Sequence, residues 1–373
     1  MMRTVLLGDV VEIIKGISYR SADYSNSENG IAFVNLKSVA RGGGYNADGI
    51  KYYAGQIKPS QYVEPGDILI ANTDLTQNRE IIGSPIIMPD IGRSACFSLD
   101  LSKIVVTDAE IVDHRYLFYY LKSPIVREYM LAHSNGSTVM HLSVKAVPNM
   151  EINLPPLDQQ KKIANILGSL DEKIELNRRM NETLEQLGQA LFRHYFVDNH
   201  GAKDWENIYL GDIVAITTGK GSTKANLSEY GKYPLYGANG IMGRSQNYLL
   251  NEKVIVTGRV GTLGVVRAVV DKAWFSDNVI IMKPDPSIFG YVFYVVCGID
   301  YASLNRGSTQ PLITQTDLKN QRVKLPPLST LQRFENSYAV IFNQIQANKC
   351  QMSTLVAIRD SLLPKLISGE IEI

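Results

Sequence analysis

The sequence predicts an α+β protein in which two β-rich domains alternate with two long, mutually paired helices, an internal repeat of pseudo-two-fold character. Three observations predict it. Leu154-Pro155-Pro156-Leu157 opens a stretch with an apolar stripe at helical spacing, and Leu325-Pro326-Pro327-Leu328 opens another 171 positions later. Leu7-Gly8-Asp9-Val10 and Leu210-Gly211-Asp212-Ile213 each begin a globular segment. Gly136-Ser137-Thr138 and Gly307-Ser308-Thr309, again 171 apart, lead towards the two helix openers.

The first domain spans residues 1–153. Its β-branched runs at 31–36, 67–71 and 103–107 are bounded by Gly, Pro, Asn and Asp and read as strands, followed by an aromatic helical patch at 117–121. Residues 154–198 form the first long helix, with stripe positions Ile163, Leu167, Leu170, Ile174, Asn177, Leu184 and Leu191 in steps of three, four and seven. Proline is tolerated at a helix start because the first N–H groups have no helical acceptor, and Asp158 is placed as the N-cap. Asp198 to Asp204 is polar, contains Gly201 and reads as a linker.

The second domain spans 199–324, with strands expected at 253–257, 264–270 and 278–282 and a helical patch at 292–296. Residues 325–373 form the second long helix. Ser329, with Gln332 three residues on, is placed as its N-cap, and Ser368-Gly369 as its end. Its stripe is Phe334, Tyr338, Ile341, Ile345, Asn348, Met352, Leu355 and Leu362, and the 171-residue shift carries Ile174 to Ile345, Asn177 to Asn348 and Leu184 to Leu355. Two helices of matching register are best explained as partners, paired through Leu167, Leu170, Ile174, Asn177 and Leu184 on one and Ile341, Ile345, Asn348 and Leu355 on the other. A buried Asn in such a seam costs stability but penalises wrong registers. The alternative is that both Asn face solvent on imperfect heptads.

Net charge is +1 and the apolar fraction is 45%, ordinary for a globular protein. By segment the charge is −2, −1, +4 and 0 in chain order, so only the second domain is basic and nucleic-acid binding must rest on local patches. The three cysteines are scattered and the five His show no ligand spacing, which indicates neither a disulfide framework nor a metal site. With no signal pattern and no apolar run near the ~20 residues that span a bilayer, a cytoplasmic location with no membrane partner is expected.

Motifs for catalysis fail on inspection. Gly219-Lys220-Gly221-Ser222-Thr223 lacks the glycine spacing of a phosphate-binding loop, and Gly258 to Gly264 is not Gly-x-Gly-x-x-Gly. Asn-Pro-Pro-aromatic and Asp-Pro-Pro-aromatic are both missing, which removes the obvious residues for methyl transfer to a base. A non-catalytic chain with no cofactor and no metal of its own is expected. What remains is recognition: base edges and phosphates are met by Arg, Lys, Asn, Gln, Ser and Thr on projecting loops. The candidates are Lys37, Arg41, Thr73, Gln77, Asn78 and Arg79 in the first domain, and Lys220, Lys224, Asn239, Arg244, Arg259 and Thr262 in the second. Polar residues in turns are, in most proteins, simply solvated, and that reading stands beside the functional one.

The arrangement resembles the specificity subunit of a type I restriction–modification enzyme. The features carrying the resemblance are both Leu-Pro-Pro-Leu openers, Gln159-Gln160-Lys161-Lys162-Ile163-Ala164 with Leu170-Asp171-Glu172-Lys173-Ile174, Leu191-Phe192-Arg193-His194-Tyr195-Phe196, and both Leu-Gly-Asp starts. It covers the whole chain. The resemblance implies two target-recognition domains, each reading half of a split sequence in double-stranded DNA, separated by an antiparallel coiled coil that docks methyltransferase (modification) subunits. It further implies restriction subunits as partners, with S-adenosylmethionine and ATP used by the partners. Ser329-Thr330-Leu331-Gln332 departs from the acidic-Gln pair usual after the second opener. The rival reading is a repeat-built scaffold or protein-interaction module that never touches DNA. A steep fall of DNA affinity with salt separates the two.

Overall fold

The computed structural model describes residues 2–221 and 226–373. It divides into two compact units, Met1–Leu176 with Gln351–Ile373, and Asn177–Cys350. The long helices are Leu157–Phe192 and Leu328–Ser368, so each unit takes in one β-rich domain and a part of both helices. Among the described residues no helix is long and apolar enough to cross a membrane.

One frame recurs in the two domains. In the first, Val11–Lys15, Leu101–Val106, Ile68–Ala71 and Pro85–Ile87 form an antiparallel sheet in that order; in the second, Val214–Thr218, Val279–Pro284, Val254–Gly258 and Arg267–Val269 do the same. Ile68–Ala71 and Val254–Gly258 are buried at every position, and their unbroken apolar runs fit strands covered on both faces. Each domain adds a mixed sheet with one parallel pair, Ile31–Val34 beside Ala95–Phe97 and Tyr233–Gly237 beside Trp274–Phe275. A two-stranded ribbon joins the start of each domain to its end, Arg3–Leu6 to Glu151–Leu154 and Glu206–Tyr209 to Arg322–Leu325.

The expected strands form within a few residues of their predicted limits, with one notable contraction. The run 264–270 shrinks to Arg267–Val269, and the residues before it form a loop in which Gly261 and Gly264 alone take left-handed φ, +83° and +76°. The helix starts also differ from expectation. Both helices begin two residues earlier than the Asp158 and Ser329 caps would place them. The carbonyl of Pro156 accepts from the N–H of Gln159 and Gln160, and that of Pro327 from Thr330 and Leu331. A proline cannot donate, but its carbonyl is free to receive the first turn, which leaves Asp158 inside that turn where its charge suits the helix dipole. The second helix ends at Ser368 and Gly369 comes next with φ +76°, as its position implies.

Each core reaches from the sheets onto the helices. In the first unit Tyr116 and Leu117 pack in one cluster with Ile163, Leu167, Leu363 and Leu366. In the second the meeting is aromatic: the Phe196 ring lies 4.8 Å from Tyr291 and 4.9 Å from Phe334. Such pairs add about 0.5–1.5 kcal/mol each beyond area burial. Two contacts within this unit give the helix direction. Asn348 Nδ2 donates to Asn181 Oδ1 at 2.8 Å, while Phe192, further along the first helix, meets Phe334, earlier on the second, with centroids 6.1 Å apart. The segments therefore run antiparallel. In the first unit Arg359 Nη1 donates to Asp171 Oδ1 at 2.7 Å.

Of the stripe residues, Leu167, Ile341 and Ile345 are buried, and Leu170, Ile174, Leu184 and Leu355 are half-buried. Asn177 and Asn348 are 1% and 4% exposed, which rules out the solvent-facing alternative. Asn348 pairs with Asn181, a buried residue that the repeat shift does not pick out. Mates in an antiparallel pair lie at mirrored positions and repeat-equivalent residues do not, so subtraction along the sequence misses them.

Candidate nucleic-acid interface

In the first domain the central strand runs on through Asn72 into Thr73–Asp74, and these pair with Met140 and His141. Thr73 is buried there, so it is a sheet residue and not the projecting loop residue expected. Asp74 is 1% exposed and organises the loop on its C-terminal side. Its Oδ1 accepts from Thr76 N at 2.6 Å and Thr76 Oγ1 at 2.7 Å, and its Oδ2 from Ile81 N at 2.6 Å and Ile82 N at 2.8 Å. Burial pushes this carboxyl up, but those four donors outweigh it and hold Asp74 below the usual carboxylate range. The loop is thus closed from inside, with Gln77, Asn78 and Arg79 exposed on it. Arg79 takes a left-handed φ of +56°, and its carbonyl accepts from Arg127. Arg41 joins this loop through an ion pair to Glu80 at 3.2 Å, while Lys37 stands exposed on the separate short turn Leu36–Ser38.

The second-domain candidates are more scattered. Arg259 follows the central strand Val254–Gly258, half-buried, with Nη1 3.5 Å from the Asp277 carbonyl, and Thr262 is half-buried nearby in the same loop. Asn239 is exposed at the turn into Gly240–Ser245, its carbonyl accepting from Arg267 Nη2 at 3.1 Å. Arg244 differs from expectation. Its Nε donates to the Gly231 carbonyl at 2.6 Å and its Nη2 to that of Lys232 at 2.5 Å, so its fork braces a turn of its own domain. Lys220 is exposed, with its backbone N–H donating to Phe275 O at 2.9 Å. Lys224 lies outside the described residues, as do Ser222 and Thr223 of the glycine-rich run.

The buried organisers were not foreseen. At a different place in the second domain, Asp317 of the short helix Gln315–Lys319 is also buried, accepts from Thr314 N at 2.8 Å and Thr314 Oγ1 at 2.7 Å and is ion-paired with Arg306. An Asp within three residues of a Thr is a local signal for this chemistry, since short polar side chains bond nearby backbone in turns. Among the described residues no group of His, Cys, Asp and Glu is placed to hold a metal ion.

One frame used twice, with different polar residues on each copy, defines a duplicated two-domain protein. The profile of the type I restriction modification DNA specificity domain matches residues 2–186 and 202–345, and the chain belongs to that family. It is 27% identical over 300 residues to the type I restriction enzyme MjaIX specificity subunit of Methanocaldococcus jannaschii, an alignment covering 69% of each chain. It is 32% identical over 204 residues to the HindI specificity subunit of Haemophilus influenzae, covering 52% of this chain and 40% of that one. A crystal structure of a type I restriction-modification S subunit from M. genitalium shares the fold, with a TM-score of 0.64 at 18% identity over 98% of this chain and 96% of that one.

Proposed function

We propose that this chain is the non-catalytic, DNA-binding specificity subunit of a type I restriction–modification complex. It recognises a bipartite target in double-stranded DNA, one half with each β-rich domain, and presents it to methyltransferase and restriction subunits. The single observation that carries this is a shared frame whose polar residues differ, exposed Gln77, Asn78 and Arg79 on one copy and exposed Asn239 with half-buried Arg259 on the other, in a chain of this family. Two like domains with unlike polar surfaces suit a target whose halves are unlike. The paired helices act as the coiled-coil spacer between half-sites and as the dock for the methyltransferase subunits. Chemistry resides in the partners, which take S-adenosylmethionine and ATP; this chain supplies sequence readout and spacing.

The test is selection of duplexes from a randomised pool with the purified full chain, followed by affinity measurement across salt. Two short preferred blocks separated by a fixed gap are expected. Each phosphate neutralised contributes about −0.9 to the slope of log affinity against log salt. A chain that enriches no sequence and shows no salt-dependent affinity is the scaffold of the rival reading.

A further inference from the structure

The two domains share a position that sequence subtraction does not align. Asn72 and Arg259 each come directly after the central strand. The N–H of Asn72 donates to Asp100 O at 2.7 Å and that of Arg259 to Asn278 O at 2.8 Å. Their carbonyls accept from Leu142 N at 2.8 Å and Ile313 N at 3.0 Å, and those two donors are repeat equivalents. Even the side chains reach for matching carbonyls, Asn72 Nδ2 to Leu99 O at 3.2 Å and Arg259 Nη1 to Asp277 O at 3.5 Å. Beside both positions the first frame strand is followed directly by a glycine pressed against backbone. A Cβ on Gly16 would meet Ser98 O at 2.0 Å, and one on Gly219 would meet Ser276 O at 2.2 Å. Backbone bonding therefore identifies one site in two copies.

What surrounds this site divides into a constant part and a varied part. Ser137-Thr138 and Ser308-Thr309 are exposed in both copies, beside the strand that contacts the site. Opposite Thr73 and Val260 the partners are His141 and Leu312, and the strand ends carry Lys15 and Thr218. Val139 in one copy is exposed Gln310 in the other. In the first domain Lys15, Asn72, Thr73, Asp100 and His141 surround a cavity of about 250 Å³. Hydroxyls repeated in both domains carry no sequence information and suit a phosphate; residues that differ at one backbone position suit bases.

Resting on the DNA-binding reading above, we propose that each domain reads its half-site from this shared point. The repeated Ser-Thr pair holds a DNA phosphate. The varied side chains beside it meet base edges, His141 and Lys15 in the first domain, Arg259 and Gln310 in the second. Arg259 holds its carbonyl partner only at 3.5 Å, which leaves the guanidinium fork able to take guanine O6 and N7.

The experiment repeats the randomised-duplex selection on full-length variants. His141→Ala should change base preference in one half-site and Arg259→Ala in the other, each weakening the original target roughly 5- to 150-fold, the range of a good base contact. Arg259→Lys keeps the stem and charge while removing the fork, so it should lose the same preference with an unchanged melting temperature. Ser137→Ala with Thr138→Ala should weaken all duplexes alike and leave the salt slope unchanged, because a neutral hydroxyl releases no counterion. Folded His141→Ala and Arg259→Lys proteins that keep both wild-type half-sites overturn the proposal while leaving DNA binding intact. A wild-type chain that selects nothing fails earlier, at the DNA-binding reading itself.

Discussion

Asp74→Asn tests whether a buried carboxylate holds the first domain's exposed loop in shape. One carboxylate oxygen receives the amide and hydroxyl of Thr76, the other the amides of Ile81 and Ile82. An Asn side chain keeps one acceptor and turns an NH₂ group towards the other two donors. Two charge-assisted bonds at about 1.5–3 kcal/mol each are then lost, roughly 3–6 kcal/mol in total. That is comparable to the stability of a whole domain, so the loop opens locally before the fold yields. Hydrogen exchange at the Ile81 and Ile82 amides is the assay, and their protection should fall by at least a hundredfold while the amides of Ile68–Ala71 stay protected. The pH dependence has a definite sign. Asp74 is held below its unfolded value near 3.9, so its contribution is complete above that pH and is lost as pH falls through the lower folded value. The Asn variant should lack that acid limb. Wild-type protection at Ile81 and Ile82 in the variant would show that the loop owes its shape to something other than Asp74.

Three further outcomes are expected. Asn348→Leu alone strands Asn181 Oδ1 and should cost about 1–3 kcal/mol by urea unfolding, whereas Asn181→Leu with Asn348→Leu should recover most of it; an additive double variant would count against their direct bond. Burial holds the Glu335 carboxyl above its usual range despite the N–H groups of Gly290 and Tyr291 and nearby Lys253. The folded state then binds this proton more tightly than the unfolded chain, so its contribution is greatest below the unfolded pKa near 4.3 and declines as pH rises through the folded value. Unfolding titrations should show that decline in wild type and not in Glu335→Gln, and parallel curves would contradict it. Seven residues inserted after Asn177 and again after Asn348 lengthen each helix by about 10.5 Å and return the stripe to nearly the same face. Methylation mapping with partner subunits should then find the gap between half-sites wider by about three base pairs with both halves unchanged; the original gap in an active complex would show that the helices do not set it.

The sequence by itself determined the large features, because each depends on periodicity or local chemistry. Stripes in steps of three and four specify Leu157–Phe192 and Leu328–Ser368, β-branched runs between turn formers specify the central strands, and repeated markers reveal the duplication. Gln77, Asn78 and Arg79 were legible as exposed polar residues for the same reason. Tertiary structure alone decided which polar groups turn inward. Thr73 and Asp74 belong to a loop-like run by composition, yet pairing with Met140 and His141 buries them. Arg244 reads as a free fork until the carbonyls of Gly231 and Lys232 close on it. Asn181 found its mate by the mirrored order of an antiparallel pair. Asn72 and Arg259 are 187 positions apart, whereas the domain starts are 203 apart and the helices 171. Loops of unequal length shift the register between the fixed ends of the repeat, and only the backbone bonds that close the sheet restore the match. A hydrogen-bonded frame constrains where atoms lie and leaves the number of residues between them free.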